Sequence, residues 1–410
     1  MNSVITPEKF YSTISSIPGI AGIIEVMHSD PNNTLVLYGG SVLDVLLGER
    51  VSNDLDFLLE YRGADLQQAH DRFMKLVSQA AARASGQLTV YENDHVVIHS
   101  VPNGVPVDIH YPASDVSLGL FRSESTVTGI GFNCRKREFF DPLGGRADLA
   151  QRRIVVHSPE YVISGPSAFP RLYRTALKLG TALPPDVVKL IRTFAPMVSI
   201  HDGSTNMRVL YETLKVFSHP GSHQTIIDMV EHGLFGQMFP EVLPLLQLGT
   251  VSADVLHSLQ VNLRVIAASF DTNQYPGDLL SYLSDSPLPV ENINRAGLLR
   301  FAVLFVGLGY AYYRLRPGSP YQRGTVGGDV GAFMVRMERN MLGFMISRFR
   351  QHPRTVKLLA PLVADVTYCS TRLLPKLYPS QTAAEGVHTT SLERRLLSLW
   401  MQRAGVIAHK

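Results

Sequence analysis

Leu37-Tyr38-Gly39-Gly40-Ser41-Val42-Leu43-Asp44-Val45-Leu46-Leu47-Gly48 and, shortly after, Asn53-Asp54-Leu55-Asp56-Phe57 read as a strand, a glycine turn, a helix start and a second strand bearing two carboxylates. Side chains alternate across a strand, which puts Asp54 and Asp56 on one side and Leu55 and Phe57 on the other. Two carboxylates this close repel unless a divalent cation lies between them. Oxygen-only donors of this kind suit Mg²⁺, which also takes substrate phosphates as ligands. The paired glycines let backbone N–H groups approach an anion, and a helix N-terminus after Ser41 favours negative charge there. A phosphate cradle beside metal-holding carboxylates is equipment for nucleotidyl transfer.

The flanking patterns extend this core. Residues 5–28 predict one or two short helices leading to a strand at 34–38. The stretch 65–85 has helical spacing, with Leu66, Phe73, Leu76, Val77 and Ala80 on one face. Strand-like runs follow at 88–91, 96–98 and 105–109, the last entered through an Asn103-Gly104 turn. Asp108 faces away from Val107 and Ile109 and is the candidate third carboxylate. From about 158 helical patterns dominate, punctuated by prolines, so the main boundary falls near 157. Turn formers mark loops at 271–290 and 316–330, and 379–390 is a polar stretch.

The joint arrangement of Gly39-Gly40, Leu46-Leu47-Gly48 and Asp54-Leu55-Asp56 resembles the signature of the polymerase β-like nucleotidyltransferases. Within them it resembles the class II branch of bacterial poly(A) polymerases and tRNA CCA-adding enzymes, which reads G-G-x-V-R-D-x-L-L-G and then D-x-D. Further segments arrive in order. Thr126-Val127-Thr128-Gly129-Ile130-Gly131-Phe132-Asn133 is similar to T-I-N-A-L-A-Y-N, and Asp141-Pro142-Leu143-Gly144-Gly145 through Asp148-Leu149 to D-P-x-G-G-x-x-D-L. Residues 166–180 resemble the helix D-P-L-R-I-L-R-A-V-R-F-A-A-R-L-G, and 210–242 resemble the neck that follows it. The resemblance covers about residues 35–242.

It implies an α+β fold: an N-terminal polymerase β-like nucleotidyltransferase head, a mixed sheet with helices, followed by an all-helical neck and body. The limits expected are 1–157 for the head, 158–242 for a nucleotide- and RNA-binding neck, and 243–410 for the body and C-terminal region. It also implies template-independent addition of nucleotides to an RNA 3′ end by two-metal catalysis, with a nucleoside triphosphate, ATP first, as co-substrate. Asp54, Asp56 and Asp108 would hold one Mg²⁺ that lowers the pKa of the attacking hydroxyl. Asp54 and Asp56 would share a second with the triphosphate, steadying the leaving pyrophosphate. Gly39, Gly40 and Ser41 would hold the β- and γ-phosphates, and Arg122, Arg171 and Arg174 would contact triphosphate, ribose or base.

Departures narrow the expectation. Leu43 stands where the branch has an arginine, and Ser123, Glu124 and Ser125 replace most of its R-R-D-F-T stretch, leaving Arg122 and Thr126. The E-D-x-x-R triplet that reads the incoming base aligns with Ser164-Gly165-Pro166-Ser167-Ala168, which has none of its three functional side chains. Ordered CCA addition is therefore not expected. A poly(A) polymerase-like enzyme adding AMP is the first reading, with base choice falling to Arg171, Arg174 or Tyr173. A catalytically inactive RNA-binding or scaffold relative is the second.

Composition sets wider bounds. The 410 residues allow two or three domains, and 45% hydrophobic with 18% charged residues describes an ordinary globular chain rather than a disordered one. A net charge of +3 is too small to argue for RNA binding by itself, so local runs such as Arg135-Lys136-Arg137 and Arg152-Arg153 carry that argument. Cys134 and Cys369 give no disulfide framework and no cysteine-rich zinc site, which fits a cytoplasmic or other reducing intracellular compartment. The N-terminus lacks an apolar signal core. The longest apolar run, 301–313, falls short of the roughly 20 residues a bilayer span needs, so a buried helix and no membrane are expected.

Overall fold

The computed structural model describes residues 5–234, apart from 50, 52–53, 63–65, 92–94, 100, 111–118, 196–202 and 220, together with Gly297. Apart from Gly297, the body expected at 243–410, including the expected apolar helix and loops, lies outside the described residues. Contacts divide the chain into two units, Met1–Ser164 and a second opening at Gly165.

The first unit carries a seven-stranded sheet of β1 (Asn33–Tyr38), β2 (Leu55–Tyr61), β3 (Gln87–Tyr91), β4 (His95–His99), β5 (Val107–His110), β6 (Gly131–Asn133) and β7 (Glu138–Phe140). Their order is β3-β4-β5-β2-β1-β6-β7. Only β2 and β5 run parallel, so the sheet is mixed. Two-residue alternation sorts its side chains. Leu35, Leu37, Leu55, Phe57, Leu59, Val96, Ile98, Val107 and Ile109 are buried in one core with Phe10, Ile14, Ile24, Phe73 and Val77. Those last five come from α1 (Pro7–Ser15), α2 (Ile20–Met27) and α4 (Leu66–Arg83), which cover that face. Each such side chain contributes about 1.5–3 kcal/mol on burial. α1 opens where Thr6 accepts the Lys9 N–H and Pro7 supplies a preset first turn. The opposite face carries Tyr38, Asp56 and Asp108 in one row, because Tyr38 pairs with Asp56 and Asp56 with Asp108.

α3 (Gly40–Leu47) follows β1 directly, and α5 (Gly145–Ala150) and α6 (Pro159–Ser164) complete the unit. The described part of the second unit is helical throughout: α7 (Ala168–Leu179), α8 (Pro185–Phe194), α9 (Gly203–Ser218) and α10 (His223–Glu231). α7 packs on α9, and Leu172, Leu179, Leu214, Phe217 and Ile226 are buried. Among the described residues no single helix is long and apolar enough to cross a membrane.

Candidate active site

Asp56 and Asp108 owe their closeness to register: on adjacent parallel strands they are direct neighbours, pointing to the face that the core leaves open. Asp54 reaches the same place differently. β2 begins at Leu55, so Asp54 stands one residue before the strand rather than within it. Its carboxylate still converges: one oxygen from each of Asp54, Asp56 and Asp108 lies within 4.8 Å of the other two, and all three residues are half-buried. Three carboxylates without nitrogen or sulfur donors fit a hard divalent cation such as Mg²⁺.

The glycine turn closes against these acids. Gly39 has φ 80° and ψ −149°, a conformation effectively reserved for glycine, and a Cβ placed there would sit 3.5 Å from Asp56 Oδ2. This turn delivers the chain into α3, whose first residue is Gly40, two positions earlier than a start after Ser41. The Ser41 hydroxyl donates to the Tyr38 carbonyl at 3.3 Å. The first N–H groups of α3 therefore open beside the carboxylates, the usual geometry for an anion at a helix start.

Arg122 is exposed, in the turn after Leu120. Leu120 itself is buried against Val36 and Leu58, on the carboxylate-bearing face of the sheet. The residues that follow are structural. The Thr126 hydroxyl donates to Asp148 Oδ2 at 2.7 Å, and Arg153 holds the other oxygen of Asp148 through Nε at 2.9 Å. Asp141 accepts the Gly145 and Arg146 N–H groups at 2.7 and 3.0 Å, capping α5. A Cβ at Gly145 would collide with the Thr126 carbonyl oxygen, which accounts for the second glycine of Asp141-Pro142-Leu143-Gly144-Gly145.

Arg171 and Arg174 belong to the second unit, on α7. Both turn to Glu212 of α9: Arg174 Nη1 lies 2.7 Å from Oε2, and Arg171 Nε lies 3.6 Å from Oε1. The Arg174 contact is an ion pair set off the hydrogen-bonding direction. Lys215 adds a hydrogen bond to Oε1 at 3.1 Å. Burial by itself would raise the Glu212 pKa, but Arg174, Lys215 and Arg171 together outweigh it and bring the carboxyl down to about 2. Sequence reading missed Glu212 and Lys215. The available signal was their (i, i+3) spacing, which places them together on a helix already matched to the neck.

Tyr173 is not open to a base, contrary to the sequence expectation. It is 1% exposed, and its hydroxyl pairs with His232 Nδ1 at 2.9 Å while the two rings stack. On an amphipathic helix, residue 173 cannot share the open face of 171 and 174 when α7 packs inward there.

Known proteins resemble this chain in sequence and in fold. The family described as "Nucleotidyl transferase AbiEii toxin, Type IV TA system" matches residues 24–130. The family described as "Probable RNA and SrmB- binding site of polymerase A" matches residues 181–246. The CC-adding tRNA nucleotidyltransferase of Geobacter sulfurreducens is 27% identical over 204 residues, covering 49% of this chain and 44% of that protein. That of Synechocystis is 24% identical, covering 50% and 46%. The matched stretch thus spans less than half the length of these relatives. The Thermotoga maritima CCA-adding enzyme, solved with tRNA, shares the fold with a TM-score of 0.55 at 13% identity, over 99% of this chain and 96% of that one. With head and neck segments matched in the same order as the motifs, the chain resembles the class II branch of the polymerase β-like nucleotidyltransferases in sequence and shares the fold of its CCA-adding members.

Proposed function

We propose that this protein adds nucleotides to the 3′ end of an RNA without a template. The observation that carries the reading is the convergence of Asp54, Asp56 and Asp108 beside the Gly39 turn. The donor set fits Mg²⁺, which Asp54, Asp56 and Asp108 would hold. Bound there, the ions would lower the pKa of the RNA hydroxyl and stabilise the departing pyrophosphate. The chain's own part is positional. Gly39, Gly40 and Ser41 hold the β- and γ-phosphates at the start of α3. Asp108 faces the attacking hydroxyl, and Arg122, Arg171 and Arg174 contact the nucleotide. In this reading 1–157 is the head, 158–242 the neck and 243–410 the body.

The base is the finer question. Loss of the base-reading triplet favours addition of one kind of nucleotide over an ordered series, and AMP from ATP is the reading taken from sequence. CMP addition to tRNA is the second reading, favoured by both curated relatives, which are named CC-adding tRNA nucleotidyltransferases.

One experiment tests the whole. Purified protein is incubated with Mg²⁺, a labelled tRNA lacking its terminal C-C-A, and each triphosphate separately. Extension with ATP alone supports AMP addition, and extension by cytidylates alone supports the second reading. No extension with any triphosphate overturns the enzymatic reading in favour of an RNA-binding relative.

A further inference from the structure

Arg171 and Arg174 share one helix face three residues apart, and both reach the same carboxylate of the neighbouring helix. Glu212 is only 6% exposed, so its orientation is fixed by packing, whereas Arg174 is 19% and Arg171 35% exposed. Lys215, one turn along α9, holds the Glu212 oxygen nearer Arg171 and lies over the Tyr211 ring at 4.6 Å. A buried acid thus anchors two partly open guanidiniums and is itself held by a lysine. Guanidinium pairs suit phosphate because their planar N–H forks match its oxygens, provided their orientation is fixed beforehand.

From this geometry we infer that Glu212 is a positioning residue, which orients Arg171 and Arg174 to receive a phosphate group of the nucleoside triphosphate. The inference rests on the nucleotide role given above to the two arginines. It adds that their aim depends on a carboxylate that never touches the ligand, steadied by Lys215.

Charge and orientation make opposite demands on Glu212→Gln. The substitution removes a negative charge beside the arginines, so simple attraction would strengthen phosphate binding. Loss of orientation weakens it. Equilibrium binding of full-length wild type and variant is measured with a non-hydrolysable triphosphate, and separately with a fluorescent single-stranded RNA. The expected result is about tenfold weaker triphosphate binding with unchanged RNA binding. In turnover, KM for the triphosphate rises by the same factor while kcat is retained. Unchanged or tighter binding in both arms overturns the positioning role, and weaker RNA binding alone overturns the triphosphate as ligand. If Glu212→Gln does not fold, Lys215→Gln gives the same readout with an expected loss of about threefold. Wild-type protein that binds triphosphate yet adds no nucleotide ends the enzymatic reading and leaves this inference standing.

Discussion

Asp56 of β2 lies directly opposite Asp108 of β5, in the one parallel pair of the sheet. Evenly spaced parallel pairing brings the two side chains to the same face at the same height, and adjacent strands lie ~4.8 Å apart. Asp54 joins them from just before the strand. Mutual repulsion among the three carboxylates costs stability, and a divalent cation relieves that cost while gaining its ligands.

Asp56→Asn and Asp108→Asn should each remove nucleotide addition, by about 4 kcal/mol of transition-state stabilisation or about a thousandfold in rate. The fold should survive, since both side chains are half-buried on the open face. Because a carboxylate is replaced by a neutral amide, apo protein should melt at the same temperature or higher. Single-turnover rates and thermal melts check both halves, and full activity in either variant refutes the assignment.

Gly39 and Gly40 look equivalent in the sequence and are not. Gly39→Ala forces a side chain into φ 80°, ψ −149°, at a cost of about 1–3 kcal/mol, and puts a methyl group against Asp56. Nothing lies within 4 Å of a Cβ at Gly40, the first residue of α3, where alanine favours the helix. Thermal melts should therefore show Gly39→Ala clearly destabilised and Gly40→Ala unchanged or slightly stabilised. Equal effects would contradict the turn geometry.

The head was largely legible because its elements follow short-range rules. Alternation of Leu35, Leu37, Phe57, Val107 and Ile109 fixed which face of each strand is buried, and so which way Asp56 and Asp108 point. Asp54 shows where such rules stop. Alternation assigned it to the strand, yet the ladder starts at Leu55, and the convergence of Asp54 comes from the approach to β2. The partnership of Arg171 and Arg174 with Glu212 was not legible, because it depends on which face of α9 meets α7. Tyr173 failed for the same reason: spacing shows which residues neighbour one another on a helix but not which face is covered.

Acid should loosen the first unit through His28. Its Nε2 accepts the Leu35 N–H at 3.2 Å, tying α2 to β1, so the ring must be neutral on that nitrogen. Burial, aided by the Arg135 guanidinium, lowers its pKa to about 4 from 6.5. Between those values the unfolded chain binds a proton that the folded protein refuses, so stability falls as pH drops from 6.5 towards 4 and is flat above 6.5. His28→Gln keeps an acceptor without titrating. Urea unfolding at pH 7, 5.5 and 4.5 should show a smaller loss in that variant than in wild type. Identical losses would refute the role of His28.

The protein should not build an ordered C-C-A end. Reading ATP against CTP by their polar edges needs donors and acceptors held open towards the base, and such a site can reject the wrong partner by about 10⁴-fold or more. At the positions aligned with the base-reading triplet, Ser164 gives its hydroxyl to the Tyr161 carbonyl at 2.9 Å, Gly165 has no side chain, and Ala168 is buried. Tyr173 is closed off by His232. Arg171 and Arg174 donate but do not accept, so they cannot complete a paired edge by themselves. A switch from cytidylate to adenylate requires one pocket to read two edges in turn, and these residues supply neither. Sequencing the products formed on a tRNA lacking its end, with ATP and CTP both present, should show one kind of nucleotide added. Two cytidylates followed by one adenylate would refute this.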